Sequence, residues 1–284
     1  INTYARKPVT FVHGKGVWLY TDANEEEKYL DALSGIAVCG LGHAHPAVVK
    51  AVVDQAAKLI HTSNIYQIEL QEKLGAKLCQ LSGMDEAFFC NSGAEANEAA
   101  VKLARMYGHH KNIQAPAIIV MENSFHGRTM ATLTATGNRK VHAGFEPLVP
   151  GFIRAPYNDV DAVSTILDNN ANIAAVLLEP IQGEGGINIP GVEYLSKLRK
   201  LCGQHEILLM VDEVQTGNGR TGKWFCYQHT DIQPDVVTVA KGLGNGIPVG
   251  ACLATAEAAK HLVPGTHGST NGGNPLAMAT ANAT

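Results

Sequence analysis

The chain has 284 residues, 45% apolar and 17% charged, with a formal net charge of -4 and a pI near 6.3. That length and apolar content support one large domain with a smaller appendage, and the absence of a Lys/Arg tract gives no electrostatic reason to expect nucleic acid or a membrane surface. Cys39, Cys79, Cys90, Cys202, Cys226 and Cys252 are scattered without a CxxC pair, as for reduced core thiols rather than disulfides or metal ligands. No apolar run reaches the ~18 residues of a membrane span, and INTYARKPVTF has no signal-peptide core. The expectation is a cytoplasmic protein acting on small molecules.

In chain order, VTFVHGKGVWLYT (9–21) alternates on both sides of Gly14-Lys15-Gly16 and predicts a hairpin. HPAVVKAVVDQAAKLIH predicts a helix beginning at Pro46, a favoured first-turn position, and a second helix follows at about 67–82. The short runs EAFFC, AIIVM, AAVLLEP, ILLMVDE and DVVTVA lack alternation, which fits strands buried on both faces. Helical stretches at 93–108 and 191–204 separate several of them, the latter with Val192, Leu195, Leu198, Leu201 and Cys202 on one face. The order predicts an α/β fold with a mostly parallel sheet, without repeats or low-complexity segments.

Ligands collect at the carboxyl edge of such sheets. Five predicted strand ends carry polar groups: Asn91-Ser92-Gly93-Ala94-Glu95, Ser124-Phe125-His126-Gly127-Arg128, Glu179-Pro180-Ile181-Gln182-Gly183-Glu184, Asp212-Glu213-Val214-Gln215, and Lys241. In NSGAEANEAAVKLARMYG, Ser92 and Glu95 have capping-box spacing. The plain reading is a well-capped helix; the functional one is a phosphate held by the free N–H groups near Gly93 and Ala94. This stretch has neither P-loop nor GxGxxG spacing.

Asp212 ends the apolar ILLMVD and Lys241 ends DVVTVA, and each is costly to bury unpartnered. A direct ion pair is one solution. Another places a ring between them: an aldehyde condensed onto Lys241, with Asp212 keeping the far ring nitrogen protonated. Pyridoxal 5'-phosphate has that aldehyde, that nitrogen and a phosphate.

FFCNSGAEANEAAVKLAR, SFHGRTMATLTATG, LLEPIQGEGG, LMVDEVQTGNGRTG, VAKGLGNGIPVGA and HGSTNGGNPLA together resemble the class III pyridoxal-phosphate-dependent aminotransferases over essentially the whole chain. The resemblance implies fold type I: residues 45–284 as a large cofactor-binding domain with a mainly parallel seven-stranded sheet, residues 1–44 as part of an incomplete small domain, and a homodimer with shared active sites. It implies Lys241 as the lysine bound to the cofactor, Asp212 at the pyridine nitrogen, Gln215 at the phenolic oxygen and Phe125 on the ring. Ser92, Gly93 and Ala94 would cradle the phosphate, with Thr270 reaching it from the neighbouring subunit. Arg128 would grip a substrate carboxylate, Ser269 would lie near the substrate, and Glu184 would help sort substrates by pairing with an arginine.

The implied reaction moves the amino group of N2-acetyl-L-ornithine to 2-oxoglutarate, a step of arginine biosynthesis. Ornithine, succinylornithine, succinyldiaminopimelate or 4-aminobutyrate are alternative donors, and a mutase or a non-catalytic dimerisation or regulatory subunit are alternative roles. Asn271 departs from the family, which has an aromatic residue after the phosphate-binding threonine. The chain stops at Thr284 in a predicted helix, where the family continues for roughly another 100 residues of small domain.

Phe125 taken alone reads as core, and Arg128 as the partner of a surface carboxylate. Ser269-Thr270 reads as a turn before Gly272-Gly273-Asn274-Pro275. His126 is expected in a supporting role. His43 and His45 lack a third metal ligand and are expected to satisfy local backbone. Glu213, adjacent to Asp212 on a strand, is expected to point the other way.

Overall fold

A computed structural model describes residues 1–22 and 27–284. The predicted hairpin forms from β1 (His13–Lys15) and β2 (Trp18–Tyr20), and β3 (Lys28–Leu30) joins β2 to complete a small antiparallel sheet. A short turn, α1 (Ser34–Ala37), leads to α2 (Pro46–Ala56), which begins at the predicted proline, and α3 (Glu69–Ser82) follows.

The rest of the chain alternates strands and helices: β4 (Glu86–Cys90), α4 (Gly93–His110), β5 (Ala117–Met121), α5 (Met130–Ala135), α6 (Arg139–His142), β6 (Phe152–Ala155), α7 (Val160–Asn169), β7 (Ile173–Leu178), α8 (Tyr194–Gln204), β8 (Leu208–Asp212), β9 (Val236–Val239), β10 (Gly250–Ala254), α9 (Ala256–Ala259) and α10 (Pro275–Ala283). These strands form a seven-stranded sheet in the order β4-β10-β9-β8-β7-β5-β6. Every pairing from β9 to β6 is parallel, whereas β10 runs antiparallel to both β4 and β9. The predicted α/β class holds, with one reversed strand.

β5, β7, β8, β9 and β10 are buried along their whole length, which is why their sequences are continuous apolar runs. Successive side chains serve opposite faces. Ile119, Val176, Leu209 and Val237 pack with Leu195 and Leu198 of α8 on one side, while Ile118, Val120, Leu177 and Met210 pack with Ala100, Leu103 and Ala104 of α4 on the other. Each such Leu, Ile or Val contributes roughly 1.5–3 kcal/mol through burial.

Two strands escape the sequence reading. β6 contains Arg154, whose guanidinium donates to the carbonyls of Thr134 and Thr136, and β10, GACLA, is short and rich in small residues. The predicted apolar face at 191–204 needs one correction: Val192 precedes α8 and is 91% exposed, and the buried face is Tyr194, Leu195, Leu198, Leu201 and Cys202.

Because β4 runs the same way as β5, β7, β8 and β9, the carboxyl ends of all five open onto one edge. The polar clusters of the sequence follow those ends. Among the described residues, no helix is long and apolar enough to cross a membrane.

Candidate active site

Lys241 lies just beyond the end of β9 in a left-handed backbone conformation, φ 43°. For a non-glycine residue this costs of order 1 kcal/mol and persists where the surroundings fix it. Here Asn218 Nδ2 donates to the Ala240 carbonyl at 3.0 Å, and Leu243 N–H donates to the same carbonyl. The half-buried amine makes no hydrogen bond or ion pair among the described residues. Burial lowers its pKa from the ordinary lysine value, against the opposing charges of Asp212, Glu179 and Glu184. The direct Lys241–Asp212 ion pair, the plain solution to both buried charges, is not formed.

Asp212 ends β8 almost fully buried and is held by donors from three segments. Oδ2 accepts from Asn97 Nδ2 at 2.7 Å and from His126 Nδ1 at 2.8 Å. Among the described residues Oδ1 accepts only the Val214 N–H, at 3.0 Å. A carboxylate can only accept, so the proton of this His126 tautomer sits on Nδ1; its Nε2 is buried and has no partner among the described residues. Glu213 faces away, as expected: its carboxylate accepts from Thr216 Oγ1 and the Tyr227 N–H.

At the end of β4, Ser92 caps α4 by accepting the Glu95 N–H at 3.2 Å. The expected reciprocal half of the capping box is displaced by one residue, because the Glu95 carboxylate accepts from the Asn91 N–H rather than from Ser92. The N–H groups of Gly93 and Ala94 have no acceptor among the described residues. A Cβ on Gly93 would come within 2.6 Å of Val214 Cγ1, so only glycine lets the loop after Asp212 lie against this helix end.

Gly127, at φ 139°, is tight for the same kind of reason: its Cβ would meet Ala94 Cβ at 2.8 Å. That contact seats the Phe125–Arg128 loop on the α4 N-terminus. The buried Glu179 ties this loop to the next, with Oε1 accepting the Phe125 N–H at 2.8 Å and Oε2 the Gly183 N–H at 3.3 Å. Burial, partly offset by His126, pushes Glu179 up to about 7.

Arg128 is exposed and makes no ion pair among the described residues; its guanidinium carbon stands 5.7 Å from the centre of the half-buried Phe125 ring, within cation–π range. The surface-carboxylate reading of Arg128 is therefore unmet. Gln215 lies against the backbone of Gly183, where a Cβ would overlap its Oε1. Glu184 is exposed, and its charge acts on Lys241.

Ser269 and Thr270 lie beside Asn91 and Glu95, which flank Ser92, Gly93 and Ala94. With Asn91, Glu95, Glu98 and His267 they line a cavity of about 310 Å³ that contains neither Lys241 nor Asp212. Ser269 Oγ accepts from Asn91 Nδ2 at 3.2 Å and from the Gly272 N–H at 3.0 Å. Thr270 and Asn271 are exposed. One expectation is overturned: the His43 side chain bonds the Asp31 carboxylate at 2.7 Å rather than local backbone, and the buried His45 Nδ1 has no partner among the described residues.

The residues fit the phosphate-bearing aldehyde implied by the sequence. A helix N-terminus offers two free N–H groups, a depressed and unpartnered lysine amine stands at a neighbouring strand end, and a buried carboxylate keeps one oxygen with acceptor capacity. Asn97, His126, Glu179 and Val214 are the contributors that the sequence reading left out or placed only in support. Asn97 had one visible signal, an amide on the buried face of an otherwise Ala-rich helix.

The family model for class-III aminotransferases matches residues 2–284. The chain is 63% identical over 281 residues to the acetylornithine aminotransferase of Nitrosomonas europaea, covering 99% of this chain and 71% of that one. It is 51% identical to the corresponding Aquifex aeolicus protein, covering 98% and 73%. Among solved structures, the ornithine aminotransferase of Toxoplasma gondii superposes with a TM-score of 0.95 at 36% identity, over 100% of this chain and 67% of that one. The acetylornithine aminotransferase of Elizabethkingia anophelis gives 0.86 at 41%, over 100% and 68%.

Proposed function

This chain belongs to the class-III aminotransferases, and we propose that it transfers the amino group of N2-acetyl-L-ornithine to 2-oxoglutarate, giving N-acetyl-L-glutamate 5-semialdehyde and L-glutamate. The family's cofactor is pyridoxal 5'-phosphate. The observation that carries the reading is the pairing of an unpartnered, half-buried Lys241 with a buried, donor-clamped Asp212 across adjacent parallel strand ends. The donor assignment is supported by the acetylornithine aminotransferases at 51 to 63% identity.

In this reading Lys241 would hold the cofactor covalently, with Asp212 through Oδ1 at its ring nitrogen, Gln215 at its phenolic oxygen and Phe125 against its ring. Ser92, Gly93 and Ala94 hold the phosphate, with Thr270 of a second copy completing that site in a homodimer. When bound, the cofactor supplies an electron sink for the carbon that loses a proton. Lys241, freed when the donor's amine takes its place and with its proton affinity reduced by burial, would take the proton from the amino-bearing carbon of the donor as general base. Arg128 holds the donor's carboxylate through two parallel N–H donors, and its freedom from other carboxylates leaves the fork available. Glu184 would help sort alternative substrates by pairing with an arginine, as the family resemblance implies. Residues 1–44, of which 23–26 lie outside the described residues, form part of a small domain beside the large domain of 45–284.

The test is a donor panel with 2-oxoglutarate and added pyridoxal phosphate, reading glutamate formed. A kcat/KM for acetylornithine about 10-fold or more above ornithine, succinylornithine, succinyldiaminopimelate and 4-aminobutyrate is expected, a gap of about 1.4 kcal/mol. A different donor leading the panel would replace the substrate assignment, and no turnover with any donor would favour a non-catalytic subunit.

A further inference from the structure

Asn97 is 1% exposed and uses its whole amide. Nδ2 donates to Asp212 Oδ2 at 2.7 Å and to the His126 carbonyl at 2.8 Å, while Oδ1 accepts the Thr238 hydroxyl at 2.7 Å. The orientation follows from chemistry, since a carboxylate and a carbonyl can only accept and must face the NH2 end. One side chain thus touches the end of β8, the loop carrying Phe125 and Arg128, and the strand β9 that leads to Lys241. It does so from α4, the helix whose N-terminus offers the free N–H groups of Gly93 and Ala94.

The two oxygens of Asp212 are consequently unequal. Among the described residues Oδ2 is taken by two side-chain donors, whereas Oδ1 has only the Val214 N–H. We propose that Asn97 is a positioning residue that, with His126, locks Asp212 Oδ2 into the protein and thereby turns Oδ1 alone toward the cofactor's ring nitrogen. The proposal rests on the pyridoxal-phosphate reading of Asp212 given above. Without Asn97, Asp212 keeps only His126 on Oδ2 and gains rotational freedom, and a misplacement of order 1 Å at a reacting group costs about 100-fold in rate.

Three variants of the full chain test this: Asn97→Ala, the near-isosteric Asn97→Asp, and Asp212→Asn as a control on the underlying reading. The readouts are pyridoxal-phosphate affinity of the apoprotein, thermal midpoint of the apoprotein, and the single-turnover rate with acetylornithine as a function of pH. Asn97→Ala is expected to lower the single-turnover rate about 10- to 100-fold and to weaken cofactor binding. Asn97→Asp sets two buried carboxyl groups against each other, so they share one proton. At low pH the protonated carboxyl group introduced at position 97 donates to Asp212 in place of the amide, and the rate of this variant relative to wild type should fall as pH rises.

A lower thermal midpoint with unchanged affinity, rate and pH profile in both Asn97 variants would reduce Asn97 to a structural role and overturn the proposal. Should Asn97→Asp fail to fold, Asn97→Ala decides alone by affinity and rate. If Asp212→Asn itself leaves the single-turnover rate unchanged, the cofactor reading of Asp212 fails instead, and the proposal with it.

Discussion

Lys241 breaks two local rules at once: it puts a charge at the end of an apolar strand and a non-glycine residue at φ 43°. Both costs are explained if the amine is needed at that spot, and Lys241→Ala tests it. The variant should fold with the wild-type circular dichroism spectrum, lose turnover, and no longer retain the cofactor covalently after borohydride treatment. Near-normal turnover would remove Lys241 from the mechanism. Arg128→Lys replaces a two-pronged donor by a point charge, and a charge-assisted contact is worth about 1.5–3 kcal/mol. KM for acetylornithine should rise about 10- to 100-fold while cofactor affinity stays unchanged; an equal loss for a simple amine without the carboxylate would place Arg128 elsewhere. Lys241, Asp212 and Arg128 are legible in the sequence because each interrupts its surroundings. Asn97 and His126 are not, because their roles depend on which acceptor three other segments bring to them.

The α4 N-terminus and the turn after β8 meet through Gly93 and Val214, although about 120 residues separate them. Gly93→Ala forces a methyl into that contact, 2.6 Å from Cγ1 and 2.9 Å from Cγ2 of Val214, and should weaken cofactor binding by shifting both segments. Adding Val214→Ala removes the two offending carbons and keeps the 3.3 Å contact to Cβ, so the double variant should recover much of the affinity. No recovery would show that Gly93 is needed for its own backbone. Strand β8 also anchors the 3-10 turn Cys226–His229 through Glu213, which burial pushes up to about 7 against hydrogen bonds that lower it. A raised folded-state pKa means the folded chain holds a proton the unfolded carboxylate has lost. The contribution is full below about 4.5 and declines as pH rises through about 7, by roughly 1–3 kcal/mol. Glu213→Gln keeps an acceptor for the Tyr227 N–H and reverses the Thr216 bond, its amide N–H donating to Oγ1, so its thermal midpoint should vary less between pH 5 and 8 than that of the wild type. An unchanged pH slope would count against titration of Glu213.

At the scale of the molecule, the class of fold was readable from the alternation of buried strands and helices, but the order of strands was not. Nothing local in GACLA says that β10 inserts antiparallel between β4 and β9, since that placement is decided by which neighbours cover both of its faces. The insertion matters for the site: it leaves β4 parallel to β8 and β9 and puts Gly93, Asp212 and Lys241 on one edge. Within one copy the candidate cofactor contacts then come from residues 92 to 241, contributed by different strand ends, so a bound ligand bridges segments that must all be in place. Ligand binding to the folded state alone adds about 2.7 kcal/mol at 100 times Kd, and a protein of this size gains roughly 2–4 °C per kcal/mol. Saturating pyridoxal phosphate should therefore raise the unfolding midpoint by about 5–10 °C. Pyridoxal, which lacks the phosphate, should give a much smaller rise at the same concentration, because the N–H groups of Gly93 and Ala94 would have nothing to hold. In Lys241→Ala, pyridoxal phosphate should still outperform pyridoxal, since the helix end is intact. Equal shifts from the two compounds in both proteins would mean that the α4 N-terminus is only a capped helix end, and the phosphate site would have to be sought elsewhere on the edge.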